Sequence, residues 1–295
     1  MAEQNRPRRS ALYMPASNDR ALEKAKSLDI DAVIVDLEDS VAPDAKSEAR
    51  AKASAAVRTG GYGRREVLIR VNGLNTEWGK ADILAAATSG ADAVCVPKVE
   101  SVDQLTAIRA VLDEGGAPAE TGIWAMMETP RAILDVHEIA AAGPADRYPV
   151  TVLLLGTNDL AKETRAALTP DRLPMLAWLS QCVIAARAYG LDILDSVYNN
   201  FRDEDGFRRE CVQGRDLGMD GKTLIHPNQI GPCNEVFSPG DEDIDWSRKV
   251  IAAFDIPENA NKGVITIDGK MVELLHLDIA RRTVAIADAI AADAG

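Results

Sequence analysis

The chain has 295 residues, 46% of them apolar and 4% aromatic, and a formal net charge of −13 from 46 acidic and 33 basic side chains. That charge argues against nucleic acid as a partner, since phosphate binding needs a basic footprint. His137, His226 and His276 lie far apart, and Cys95, Cys182, Cys211 and Cys233 form no C-x-x-C pair, which argues against zinc, thioredoxin-like chemistry and a disulfide framework.

Short Val/Ile/Leu-rich runs predict strands, in chain order, at Ala11–Ala16, Ala32–Asp39, Glu66–Asn72, Ala93–Lys98, Gly122–Thr129, Thr151–Gly156, Asp192–Val197 and Lys222–His226. They lack strict alternation, as parallel strands covered on both faces do. Amphipathic stretches such as Asp19–Leu28, Ser47–Arg58, Trp78–Ser89, Val102–Leu112 and Pro174–Tyr189 predict the intervening helices. Eight successive βα units predict an α/β fold of the TIM (β/α)8 barrel type over residues 1–237. A doubly wound open sheet is the alternative, disfavoured by the count and by the lack of G-x-G-x-x-G after the first strand. Beyond the barrel, Ser238–Asp245 is acidic and turn-rich, and Trp246–Phe254 reads as a helix. Pro257–Gly263 is a polar linker, Val264–Val272 turns at Asp268-Gly269, and a last helix runs from about Leu274 to Ala292. Residues 238–295 thus form a C-terminal extension, either a packing arm or a lid reaching a neighbouring subunit. No apolar run approaches the ~18–20 residues of a membrane span, and MAEQNRPRRS lacks the apolar stretch of a secretory signal. With four cysteines outside any framework, the expected compartment is the cytoplasm.

The C-terminal strand ends are where a barrel of this kind carries its chemistry. Six of the eight predicted strands deliver polar groups there: Asp36-Leu37-Glu38-Asp39, Arg70-Val71-Asn72, Pro97-Lys98, Glu128-Thr129, Gly156-Thr157-Asn158-Asp159 and His226-Pro227. Each has a bland alternative. Asp39 and Asp159 suit helix caps, Glu128 suits an ion pair with Arg70 or Lys98, and His226 before Pro227 suits a structural hydrogen bond. Taken together, Glu128 and Asp159 with Glu38 and Asp39 beside Arg70 make an oxygen-rich pocket next to a fixed cation. With no His/Cys site available, a metal there would be Mg²⁺, or Mn²⁺, which take carboxylates and leave places for substrate oxygens. Such a site can clamp an α-hydroxy or α-keto acid and stabilise charge developing on oxygen.

These residues fall within longer motifs. D-L-E-D-S-V at 36–41, R-V-N at 70–72, V-P-K-V-E-S at 96–101, M-E-T at 127–129, G-T-N-D-L at 156–160, F-R-D-E-D-G at 201–206 and G-K-T-L-I-H-P-N-Q-I at 221–230 span nearly the whole chain. With them the chain resembles the CitE-like branch of the HpcH/HpaI aldolase family, which includes the citrate lyase β-subunit and the malyl-CoA lyases. The resemblance implies a Mg²⁺-dependent barrel enzyme, a homotrimer or homohexamer, acting on acyl-CoA thioesters, so that CoA is part of the substrate.

By the same resemblance, Glu128 and Asp159 bind the metal, while Glu38 and Asp39 act through its waters. Arg70 holds the thioester or enolate oxygen, and Arg20 and Lys24, with Arg9, contact the CoA nucleotide. The lyases carry an aspartate on a lid from a neighbouring subunit; G-K-M-V-E-L-L-H at 269–276 places Glu273 there instead. One methylene moves a carboxylate by about 1 Å, a displacement that can cost about 100-fold in rate. The exchange, with W-A-M-M-E-T and G-T-N-D-L-A-K-E, is most similar to members that hydrolyse (3S)-malyl-CoA to malate and CoA. C–C cleavage of malyl-, β-methylmalyl- or citramalyl-CoA is the alternative, and a citrate-lyase-like β-subunit within a complex a second one.

Overall fold

The structure, a computed structural model, describes residues 6–143, 149–259 and 261–293. Strands β1 (Ser10–Pro15), β2 (Ala32–Asp36), β3 (Glu66–Arg70), β4 (Ala93–Val96), β5 (Gly122–Met127), β6 (Val150–Leu155), β7 (Asp192–Asp195) and β8 (Gly221–Leu224) pair in sequence order. All pairs are parallel, and β8 returns to β1 through Ala11 opposite Thr223. This closes the expected TIM barrel. Successive side chains along a strand point to opposite faces, and here both faces are apolar. Ile34, Leu68, Trp124, Met126 and Leu154 fill the interior. Val33, Val35, Ile69, Met127 and Leu153 pack outward into the layer holding the helices. That double burial explains why the strands read as unbroken apolar runs.

Several strands stop earlier than their apolar runs suggest. β2 ends at Asp36 because its carboxylate accepts the backbone N–H groups of Glu38 (2.8 Å) and Ser40 (3.1 Å). An Asp turn of this kind takes the chain off the ladder, so the predicted Ala32–Asp39 overshoots. β8 ends at Leu224, since Gln229 Oε1 accepts from Ile225 and His226 N–H and Pro227 opens a short 3₁₀ turn.

Two clusters of buried charge outside the mouth are paired. At the foot of the barrel Arg8 donates to Glu66 (2.6 Å) and Asp192 (2.5 Å), and the Trp124 indole N–H donates to Glu66 (3.2 Å). Between the strands and the helix Glu204–Leu217, Lys222 Nζ meets Asp195 (3.0 Å) and Glu210 (2.6 Å), and Arg172 also donates to Asp195 (2.7 Å). Burial would push the Asp195 carboxyl up, but Lys222 and Arg172 outweigh it and hold it below the usual range. A depressed carboxylate adds stability above its unfolded pKa of about 3.9 and loses it as pH falls through the folded value. Lys222→Met therefore destabilises the barrel by about 3–5 kcal/mol at pH 7. Urea melts across pH 3–7 check the sign: the deficit narrows as pH falls, because protonation of Asp195 removes the charge that Lys222 compensates in the wild type.

The chain divides into two compact units, Arg8–Phe237 and one drawn mainly from Ser238–Gly295. In the latter, the helix Asp241–Phe254 begins five residues before the predicted Trp246. Asp241, Glu242 and Asp243 occupy its first turn, where carboxylates suit the exposed N–H groups. The acidic stretch is thus a helix start rather than a turn. Within the linker Pro257–Gly263, Ala260 lies outside the described residues. β9 (Val264–Ile267) and β10 (Lys270–Glu273) then pair antiparallel. Asp268 and Gly269 join them with φ of 50° and 76°, the paired positive values of a type I′ turn. The last helix is Leu274–Asp293. Val250, Phe254, Ile265, Ile267, Val272, Leu277 and Ala280 form this unit's own core. No helix among the described residues is long and apolar enough to cross a membrane.

Candidate active site

A cavity of about 410 Å³ opens at the C-terminal ends of the strands, lined among others by Tyr13, Asp36, Arg70, Glu128, Asp159 and Ser196. The period-two rule places the strand-borne members. Asp36 lies two residues past Ile34, Arg70 two past Leu68, and Glu128 two past Met126, all three interior positions. The alternation that fills the barrel with apolar side chains thus turns polar at its mouth.

Arg70 is buried and already committed. Its Nε and Nη2 donate to the two oxygens of Asp36 at 2.6 and 2.7 Å, and its Nη1 faces Glu38 at 2.8 Å and Asp39 at 3.3 Å. The fork-to-fork pair fixes the guanidinium plane. Burial alone would raise the Asp36 carboxyl, but Arg70 holds it below its ordinary value. Tyr13 lies against the other side, its ring centre 4.7 Å from the guanidinium carbon.

Glu128 is the opposite case. It is 3% exposed, and its one hydrogen bond within the described residues comes from the Lys98 backbone N–H to Oε1 at 2.8 Å. Burial, with the charges of Glu38 and Asp159, pushes its pKa up to about 8. Glu38 rises to about 7 through burial and its neighbours Asp39 and Asp36, against the pull of Arg70. Gly156 makes this crowding possible: a Cβ there would stand 2.4 Å from Glu128 Cβ and 2.6 Å from Oε2. Asp159 sits in the first turn of the helix Thr157–Thr164 and is 30% exposed, with Lys98 Nζ 3.5 Å away. A buried carboxylate among like charges is costly until a cation joins it. The donor set therefore fits a hard divalent cation on Glu128 and Asp159. No group of three or more candidate ligands occurs among the described residues, and Mg²⁺ needs only one or two carboxylates, keeping water for the rest.

The structure gathers Glu38, Asp39, Arg70, Glu128 and Asp159 at one mouth, with Asp39 largely exposed and capping no helix. Glu128 pairs with neither Arg70 nor the Lys98 ammonium. Arg20 and Lys24 stand exposed one turn apart on the helix Asp19–Ala25, which leaves the mouth end of β1 and is capped by Asn18. Arg9 is a correction. It precedes β1, at the foot of the barrel, where it is buried and clasps Asp31 at 2.7 and 2.9 Å. The foot is the end of the barrel away from the cavity. His226 caps the Pro227–Gln229 turn through Nδ1 and stacks on Phe201 at 4.5 Å, a structural arrangement. Glu273 ends β10 in the second unit, its N–H donating to His276 Nδ1 at 3.0 Å. Missing from the sequence reading were Asp36 as the clasp on Arg70, Tyr13, and the Lys98 backbone as a Glu128 partner.

A family model described as HpcH/HpaI aldolase/citrate lyase matches residues 9–227. The (3S)-malyl-CoA thioesterase of Cereibacter sphaeroides (strain KD131 / KCTC 12085) is 50% identical over 293 residues, 99% of each chain. Citrate lyase subunit beta of Escherichia coli (strain K12) is 32% identical over 281 residues, 94% of this chain and 92% of its own. Among solved structures, protein CitE from Mycobacterium tuberculosis, in complex with magnesium, acetoacetate and coenzyme A, is 26% identical with a TM-score of 0.75. It covers 97% of this chain and 99% of that one.

Proposed function

We propose that this chain, which belongs to the HpcH/HpaI aldolase/citrate lyase family, hydrolyses (3S)-malyl-CoA to malate and CoA with Mg²⁺ as cofactor. The observation carrying this reading is the pairing of a buried, uncompensated Glu128 and a half-buried Asp159 with a pre-oriented Arg70 in one cavity, in a chain half identical along its length to a thioesterase for that substrate. Magnesium held by Glu128 and Asp159 supplies a Lewis acid for the carboxylate and hydroxyl oxygens of the malyl group. Mn²⁺ has the same ligand preferences and is expected to substitute.

The chain's own residues do the remainder. Asp36 keeps Arg70 in plane so that the guanidinium stabilises charge on the thioester carbonyl oxygen. Glu38 and Asp39 complete the acidic rim. Arg20 and Lys24 attract the CoA phosphates, a local cationic pair on a protein of net charge −13. Glu273 is the general base for water, brought in by the tail of a neighbouring subunit in a homotrimer or homohexamer. Met271, Leu274, Leu275 and Ile279 leave apolar surface exposed beside it, the kind of face a second subunit covers. We place the reaction in the cytoplasm, where the four buried free cysteines stay reduced. The citrate lyase relatives support C–C cleavage as the second reading. Free CoA release from malyl-CoA tests the proposal: release with Mg²⁺, its loss with EDTA and its return with added Mg²⁺ are expected. Undiminished release by metal-free enzyme would contradict it.

A further inference from the structure

Arginine has five N–H donors, and Arg70 gives three of them to carboxylates, Nε and Nη2 to Asp36 and Nη1 to Asp39, with Glu38 in ion-pair range of Nη1. Two N–H groups at most remain for a substrate oxygen. Tyr13 lines the same cavity, on the interior face of β1 and against the Arg70 guanidinium. Its hydroxyl has no hydrogen-bond partner among the described residues. By contrast the neighbouring hydroxyls are engaged, Thr157 with Ser196 at 2.6 Å and Thr223 with the Asp195 carbonyl at 3.0 Å. Tyr13 is partly buried, and a buried or half-buried phenol usually finds a partner for its hydroxyl. Here Tyr13 borders the cavity, where a substrate oxygen can supply that partner.

We propose that the Tyr13 hydroxyl donates a hydrogen bond to the thioester carbonyl oxygen of the substrate, sharing with Arg70 the negative charge that develops there. The inference rests on the acyl-CoA reading of the site. In hydrolysis, water adds to the thioester carbon, the carbonyl pair moves onto oxygen, and the water proton passes to the general base. Collapse re-forms the carbonyl and breaks the C–S bond, and the CoA thiolate takes up the proton. Tyr13 keeps its own proton throughout. Burial first, then Cys95, Asp36 and Glu128 against the pull of Arg70, hold its pKa well above the ordinary tyrosine value, so it remains a donor. The ring also shields the guanidinium from water, which strengthens both interactions.

Tyr13→Phe removes one oxygen and leaves the ring over Arg70, so the fold and Mg²⁺ binding stay as they are. The expected result is a fall in kcat of roughly 100-fold, the cost of one oxyanion donor. KM should stay within about twofold, and the Mg²⁺ dissociation constant by calorimetry should be unchanged. A kcat within twofold of wild type overturns the assignment. So does an unchanged kcat with raised KM, which would make the hydroxyl a ground-state contact. Products are identified in the same assay. Glyoxylate in place of malate would fail the hydrolysis reading while leaving this one testable, because C–C cleavage develops charge on the same oxygen.

Discussion

Glu128→Gln lowers kcat/KM on malyl-CoA by at least about 10³-fold, a loss of about 4 kcal/mol of transition-state stabilisation. The neutral amide is isosteric and still accepts the Lys98 N–H, so the cavity keeps its shape. What goes is the anionic ligand. The same substitution should leave the metal-free protein no less stable than wild type. It replaces a carboxylate that burial pushes up to about 8, one the fold tolerates only for what binds it. Mg²⁺ should raise the wild-type Tm by mass action and fail to do so in the variant. Thermal melts with and without Mg²⁺, beside steady-state kinetics, check both halves. A variant that loses activity yet is still stabilised by Mg²⁺ would remove Glu128 from the ligand set.

Arg70→Lys separates charge from geometry. Lysine keeps the positive charge but cannot clasp both oxygens of Asp36 or lie flat under Tyr13. kcat is expected to fall by about 10²–10³, with the Mg²⁺ affinity little changed. Stability should fall by about 2 kcal/mol, because buried Asp36 loses half its clasp. Kinetics and urea melts read the two effects separately. Full activity with lysine would mean that charge alone suffices, and the role given to the Asp36 clasp would be wrong.

The barrel was legible because its strands are apolar on both faces and separated by amphipathic helices, a pattern few other folds share. Polar groups concentrated at one end of the strands marked the mouth. What escaped was which face each residue takes. Counting by twos from Ile34 leads to Asp36 on the inside, and the same count on β1 leads from Ala11 to Tyr13. Overlong strand predictions hid this, since the turn at Asp36 is made by its own carboxylate, a side-chain effect invisible to periodicity. Arg9 was misplaced for a simpler reason. A residue before β1 stands at the barrel's foot, whatever its neighbours in sequence contact. Glu128 was found, but its lack of a protein cation was not, because pairing depends on neighbours 30 or more residues away.

The most direct test of hydrolysis by this site is turnover of malyl-CoA by the Mg²⁺-loaded enzyme in ¹⁸O-labelled water, with products identified by mass spectrometry. The predicted result is malate carrying one ¹⁸O in the carboxylate derived from the thioester, formed one-for-one with free CoA. Glyoxylate and acetyl-CoA, formed as fast as malyl-CoA disappears and without label in a malate pool, would contradict it.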